Sequence, residues 1–105
     1  MNPTGLLLVD KPEGFTSHAI VAMVRRALGT KRVGHLGTLD PFASGLLPIM
    51  IGGMTRMGDT LMECDKVYSF EISLGTETDT LDGSGRVVAT LPWPSDICEA
   101  RIEAV

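Results

Sequence analysis

The chain has 105 residues, 44% of them hydrophobic and 21% charged, a balance that excludes a disordered tail and bounds it to one domain or part of one. Its longest apolar run is far short of the about 20 residues a membrane helix needs, and Met1-Asn2-Pro3-Thr4 forms no basic leader region, so a cytoplasmic protein is expected. The net charge of −4 hides an asymmetry: residues 1–58 carry six Lys/Arg against three Asp/Glu, and residues 59–105 three against ten, which keeps a nucleic-acid partner open for the first half.

Gly5-Leu6-Leu7-Leu8-Val9 reads as a short buried strand closed by the turn residues Asp10-Lys11-Pro12-Glu13-Gly14. Thr16 or Ser17 can cap a helix running to about Leu28, with Ile20, Val21, Val24, Ala27 and Leu28 on one face and Gly29 as its stop. Arg25, Arg26, Lys31 and Arg32 cluster at the end of this helix. They suit its negative dipole end as well as they suit phosphates.

Gly34 to Gly45 holds three glycines and one proline, which no regular helix or central strand accommodates, so it is a shaped loop. Leu46 to Ile51 reads as a strand, Gly52-Gly53 breaks it, and Thr55 offers a cap for a helix through about Glu63. Met54, Met57, Leu61 and Met62 form that helix's apolar side. Lys66 to Leu74 is the clearest strand, because Tyr68, Phe70, Ile72 and Leu74 alternate with polar residues. Residues 76–85 read as a polar loop and Arg86 to Leu91 as the partner strand. Ser95 caps a last helix that meets no stop signal before Val105, so the C-terminus reads as truncated.

Asp40 is the most informative acid. It precedes Pro41, which biases it towards extended backbone, and Gly34, Gly37 and Gly45 let the chain approach a ligand closely. An Asp carboxylate there serves as nucleophile, base or ligand, or simply accepts amides of its own loop. A metal pair of His35 and Asp40 lacks a third ligand, since His18 lies in the capped helix. No G-x-S-x-G elbow surrounds Ser44, no Gly-Lys-Ser/Thr follows the glycines, and Cys64 and Cys98 form no CxxC pair and read as reduced packing thiols.

Four blocks in order carry a resemblance: Gly5-Leu6-Leu7-Leu8-Val9-Asp10-Lys11-Pro12; Gly34-His35-x-Gly37-Thr38-Leu39-Asp40-Pro41-x-Ala43-Ser44-Gly45-x-Leu47-Pro48; Asp65-Lys66-x-Tyr68; and Leu74-Gly75-x-x-Thr78-Asp79-Thr80-x-Asp82. Together they resemble the TruB family, the tRNA pseudouridine synthases that act on the T-arm loop. The resemblance implies an α+β fold, a mixed and largely antiparallel sheet with flanking helices, of which residues 1–105 are the N-terminal part. It implies isomerisation of uridine to pseudouridine. The glycosidic bond breaks, the base turns, and it rejoins through carbon, without redox change, cofactor or metal.

The resemblance puts the catalytic role on Asp40 and a stacking and proton-moving role on Tyr68. His35 would fill the space left by a flipped base, whose unstacking costs a few kcal/mol. Lys11, Gly37, Lys31 and Arg32 are the further RNA-side candidates, with Lys11-Pro12 also read as a structural turn. The implied partner is the tRNA T-arm stem-loop, with no membrane and a monomeric full-length enzyme. A C-terminal part would supply the basic partner of the aspartate and one wall of the RNA cleft, so the 105-residue chain alone is expected to be inactive. The family departs here at Gly52-Gly53-Met54-Thr55-Arg56, where Gly-Glu-Ala-Thr-Lys is usual. Two alternatives stand beside this reading, a non-catalytic RNA-binding remnant and a guide-RNA-dependent relative acting on ribosomal RNA.

Overall fold

Two adjacent hydroxyl residues and a 3.6-residue apolar period build helix α1 (Ser17–Leu28) where the sequence puts it. Thr16 is the cap: its backbone is extended and its hydroxyl accepts the Ala19 N–H at 2.9 Å, an interaction worth about 0.5–2 kcal/mol. Gly29 ends the helix at φ +64, with its N–H on the Arg25 carbonyl, a left-handed position that favours glycine. The computed structural model describes residues 2–103. They divide into two compact units, one ending at Lys66 and the other beginning at Val67.

In the first unit, β1 (Gly5–Lys11), β2 (Val33–His35) and β3 (Gly45–Ile51) form an antiparallel sheet in the order β1-β3-β2. Leu47, Ile49 and Ile51 alternate along β3 and pack with Val33 against Ile20 and Val21 of α1. Ile49 is fully buried, and burying such a side chain contributes about 1.5–3 kcal/mol. Val9, Val24 and Leu39 pack around this cluster. Leu39 thereby anchors the glycine-rich loop to the core beside Asp40.

Pro48 sits in the central strand without breaking it. Its carbonyl accepts the Leu36 N–H at 2.9 Å, so its ring nitrogen faces the β2 side, where it has no hydrogen to return to Leu36. Only half of that pair forms. β2 therefore ends at His35, and the loop begins one residue later, inside the segment the sequence reads wholly as loop.

Three expectations for this unit need correction. The first strand is not buried: Leu6, Leu7 and Leu8 are all exposed, Leu8 to 62%. β1 is an edge strand, and Leu6 and Leu8 pair with Met50 and Pro48 on the face away from the α1 cluster. Ala27 and Leu28, expected on the buried face of α1, lie exposed in its last turn. The helix expected from Thr55 is instead a 3-10 turn (Gly52–Met57) followed by α2 (Gly58–Met62). Thr55 is no cap, since its hydroxyl donates to the Gly52 carbonyl at 2.8 Å. Gly52 makes the turn at φ +63, packed so closely on Pro3 and Thr4 that a β-carbon would collide with both.

In the second unit, β4 (Thr76–Thr78) and β5 (Val87–Thr90) form an antiparallel pair with a bulge at Glu77/Thr78. The strand expected over Lys66–Leu74 is absent, and Tyr68, Phe70 and Ile72 are 64%, 75% and 67% exposed. Alternation marks which side chains share a face, but a strand also needs a neighbour for its N–H and C=O groups. Its expected neighbour is taken: β5 pairs with β4, which lies in the segment read as polar loop. The last helix, α3 (Glu99–Glu103), starts later than a Ser95 cap implies, because Cys98 supplies the carbonyl that accepts the first helical N–H groups. Val105, to which that helix is expected to run, lies outside the described residues. The architecture is α+β, with antiparallel pairing in every described sheet.

Candidate functional site

The loop from Leu36 to Ser44 joins β2 to β3, and the chain reverses there on Gly37 at φ +73 and Gly45 at φ +124. Asp40 lies on this loop with its side chain exposed. The ion pairs among the described residues, Arg86–Asp79 and Arg101–Asp96, do not involve it. Its carbonyl accepts the Ala43 N–H at 2.9 Å, closing a four-residue turn that Pro41 preorganises.

The backbone on either side of Asp40 is held from the end of β1, the turn that follows it and the first residue of α1. Ser17, 2% exposed, donates its hydroxyl to the Leu39 carbonyl at 3.0 Å and accepts the Leu39 N–H at 2.9 Å. The Pro41 carbonyl accepts the Gly14 N–H at 2.7 Å. Lys11 is fully buried, and its ammonium donates to the carbonyls of Phe15 at 2.7 Å, Pro12 at 3.0 Å and, at the longer 3.5 Å, Pro41. A buried ammonium is costly unless its hydrogens are satisfied, and these three carbonyls are its acceptors.

Lys11, named both as an RNA-side candidate and as part of a structural turn, stands here as a residue that joins two loops from inside. Its hydrogens are spent on carbonyls and its surface is covered. Sequence reasoning also missed Ser17, treating it only as an alternative cap. The available signal was a surplus hydroxyl, since Thr16 alone suffices to cap α1.

His35 closes β2 half-buried, with Nδ1 2.5 Å from the Gly37 carbonyl. A carbonyl only accepts, so Nδ1 carries the proton in this contact. His35 thus stands at the end of β2, where the loop that carries Gly37 and Asp40 begins. Of the basic cluster, Arg25 donates to the Val33 carbonyl at 3.0 Å and Arg32 donates through Nε to Thr55 at 3.2 Å. Both tie the α1–β2 connection to its neighbours. Arg26 and Lys31 are exposed and take no ion pair among the described residues.

Tyr68 belongs to the second unit, where it is 64% exposed. That unit carries a cleft of about 350 Å³ whose lining includes Glu71, Glu77 and Asp82. Carboxylates on its walls repel phosphates, so the cleft is a poor seat for an RNA backbone. The Asp82 carboxylate accepts from the hydroxyls of Ser84 and Thr80 and from the Ser84 N–H, and these bonds hold its pKa below the ordinary 3.8.

No group of three or more His, Cys, Asp or Glu side chains stands at metal-holding geometry among the described residues. The loop offers an exposed carboxylate on a backbone tied at both ends. That arrangement suits attack on, or proton removal from, a substrate brought to it.

A family model described as TruB family pseudouridylate synthase (N terminal domain) matches residues 25–105. The chain is 50% identical to the tRNA pseudouridine synthase B of Geobacillus thermodenitrificans over 101 residues, 96% of this chain and 33% of that protein. It is 50% identical to the protein of the same name from Opitutus terrae, over 95% of this chain and 41% of that one. The chain thus spans about a third of the length of the curated relatives it matches. A solved chain from an H/ACA RNP bound to a substrate RNA containing 2'-deoxyuridine superposes at a TM-score of 0.52 with 44% identity, over 54% of this chain and 18% of that one.

Proposed function

This chain belongs to the TruB family of pseudouridylate synthases, and from that premise we propose that it forms the N-terminal part of an enzyme that isomerises uridine to pseudouridine in the tRNA T-arm loop. The proposal puts Asp40 at the reacting nucleotide. The C1′–N1 bond breaks, a C1′–C5 bond forms, and the proton lost from C5 is balanced by one gained at N1. The supporting observation is the Asp40 loop itself, an exposed carboxylate on a turn whose flanking residues are both hydrogen-bonded to the β1–α1 segment.

In this reading His35 occupies the gap left by the flipped base, with Gly37 keeping the backbone close, and Tyr68 stacks on the target base. Lys31 and Arg32 are phosphate contacts, with Arg32 reaching RNA from a guanidinium already steadied by Thr55. The likeness to the H/ACA RNP chain favours a second reading, a guide-RNA-dependent synthase.

The test uses full-length protein and an isolated T-arm hairpin carrying C5-tritiated uridine, with no guide RNA. Tritium release by wild type, reduced by roughly 10²–10⁴-fold or more in Asp40→Asn, is the expected result. Near-normal release by Asp40→Asn overturns the assignment of Asp40. Release by wild type only after a guide RNA is added favours the second reading.

A further inference from the structure

Ser17 is buried at the start of a helix that already has its cap in Thr16. Its hydroxyl is spent entirely on one residue of a distant loop, donating to the Leu39 carbonyl and accepting the Leu39 N–H. Those two groups belong to the peptide planes before and after Leu39. A single hydroxyl therefore fixes both planes, and the second is the plane that carries the nitrogen of Asp40.

From this geometry we propose that Ser17 is a positioning residue for Asp40, setting the direction in which the carboxylate leaves the loop. The proposal rests on the reading of Asp40 given above. The Leu39 side chain packs at the edge of the core, so Leu39 is anchored through its side chain as well as its backbone. Beyond Asp40, the Pro41 carbonyl is held by Gly14. Without the Ser17 hydroxyl, Leu39 keeps its packing but loses both backbone partners, and the 39–40 peptide is free to rotate. Near-attack geometry is sensitive to such movement: a displacement of about 1 Å costs on the order of a hundredfold in rate.

The experiment compares full-length wild type, Ser17→Ala, Ser17→Thr and Asp40→Asn on a T-arm hairpin, with amide hydrogen exchange followed on the same proteins. For Ser17→Ala the expected result is a kcat roughly 10- to 100-fold lower, a KM within about twofold, and faster exchange at Leu39 with the β1–β3 ladder unchanged. Ser17→Thr, which retains the hydroxyl, restores kcat. The proposal is overturned if Ser17→Ala keeps wild-type kcat or wild-type exchange at Leu39. It is also overturned if protection falls equally across the whole sheet, which marks a merely structural role. An active Asp40→Asn overturns the reading of the site. A silent Asp40→Asn beside a fully active Ser17→Ala overturns the positioning role alone.

Discussion

The ammonium of Lys11 donates to the carbonyl oxygen of Phe15 at 2.7 Å from a side chain that is fully buried. A lysine that a sequence places in an exposed turn thus becomes a cross-brace between that turn and the Pro41 carbonyl. Lys11→Met, close in length but without hydrogens to give, takes this donor from the Phe15 and Pro12 carbonyls, while the Pro41 carbonyl keeps the Gly14 N–H. It should destabilise the protein by about 1–3 kcal/mol, read from the urea midpoint. T-arm hairpin affinity of the folded variant should match wild type, and a selective loss of affinity at unchanged stability would return Lys11 to the RNA surface.

Arg26 and Lys31 are exposed and outside the internal bonds that occupy Arg25 and Arg32. If both reach phosphates, Arg26→Ala with Lys31→Ala should weaken binding across RNA sequences and flatten the slope of log affinity against log salt by about 1 per contact removed. Arg25→Ala should show itself first in stability, because it frees the Val33 carbonyl. Titrations at several salt concentrations separate Arg26 and Lys31 from Arg25, and an unchanged slope in the double variant means that these two cations only face solvent.

The Asp82 carboxylate is held below 3.8 by the Ser84 hydroxyl first, then the Thr80 hydroxyl and the Ser84 N–H. With the folded value lower than the unfolded one, its contribution is fully present above the unfolded value and is lost as pH falls through the folded value. The loop over residues 78–86 should therefore stay intact through neutral and mildly acid pH and loosen only below about pH 4. The carboxyl carbon shift of Asp82 should titrate with a midpoint under 3.8, and a midpoint above it contradicts these hydrogen bonds.

Gly52 combines φ +63 with contact against Pro3 and Thr4. Gly52→Ala adds both a strained backbone and a collision with a carbonyl oxygen, so a loss of about 1–3 kcal/mol or more is expected. Gly53, whose β-carbon would meet only the Thr4 methyl at 3.7 Å, should accept alanine at far smaller cost. Equal urea midpoints for the two variants would contradict the packing described.

What the sequence made legible was local. The cap at Thr16, the stop at Gly29 and the glycines around Asp40 announce themselves through chemistry completed within a few residues. The fate of Lys66–Leu74 was not legible, since alternation names the face of a strand and says nothing of its partner. Lys11 and Ser17 were hidden for a related reason. Their long-range acceptors, Pro41 and Leu39, stand 30 and 22 residues away, and nothing in a lysine beside a proline, or a serine beside a threonine, names such distant partners.

Pro48 has a consequence for the span of the Asp40 loop. The ladder of β2 against β3 loses a bond where the donor is missing, so the point at which the segment carrying Asp40 leaves the sheet is set from the strand opposite. A residue with an N–H at this position permits the second bond to Leu36, which would lengthen the ladder by that one bond at the mouth of the loop. The imino acid thus trims the ladder by one hydrogen bond at the threshold of the Asp40 loop.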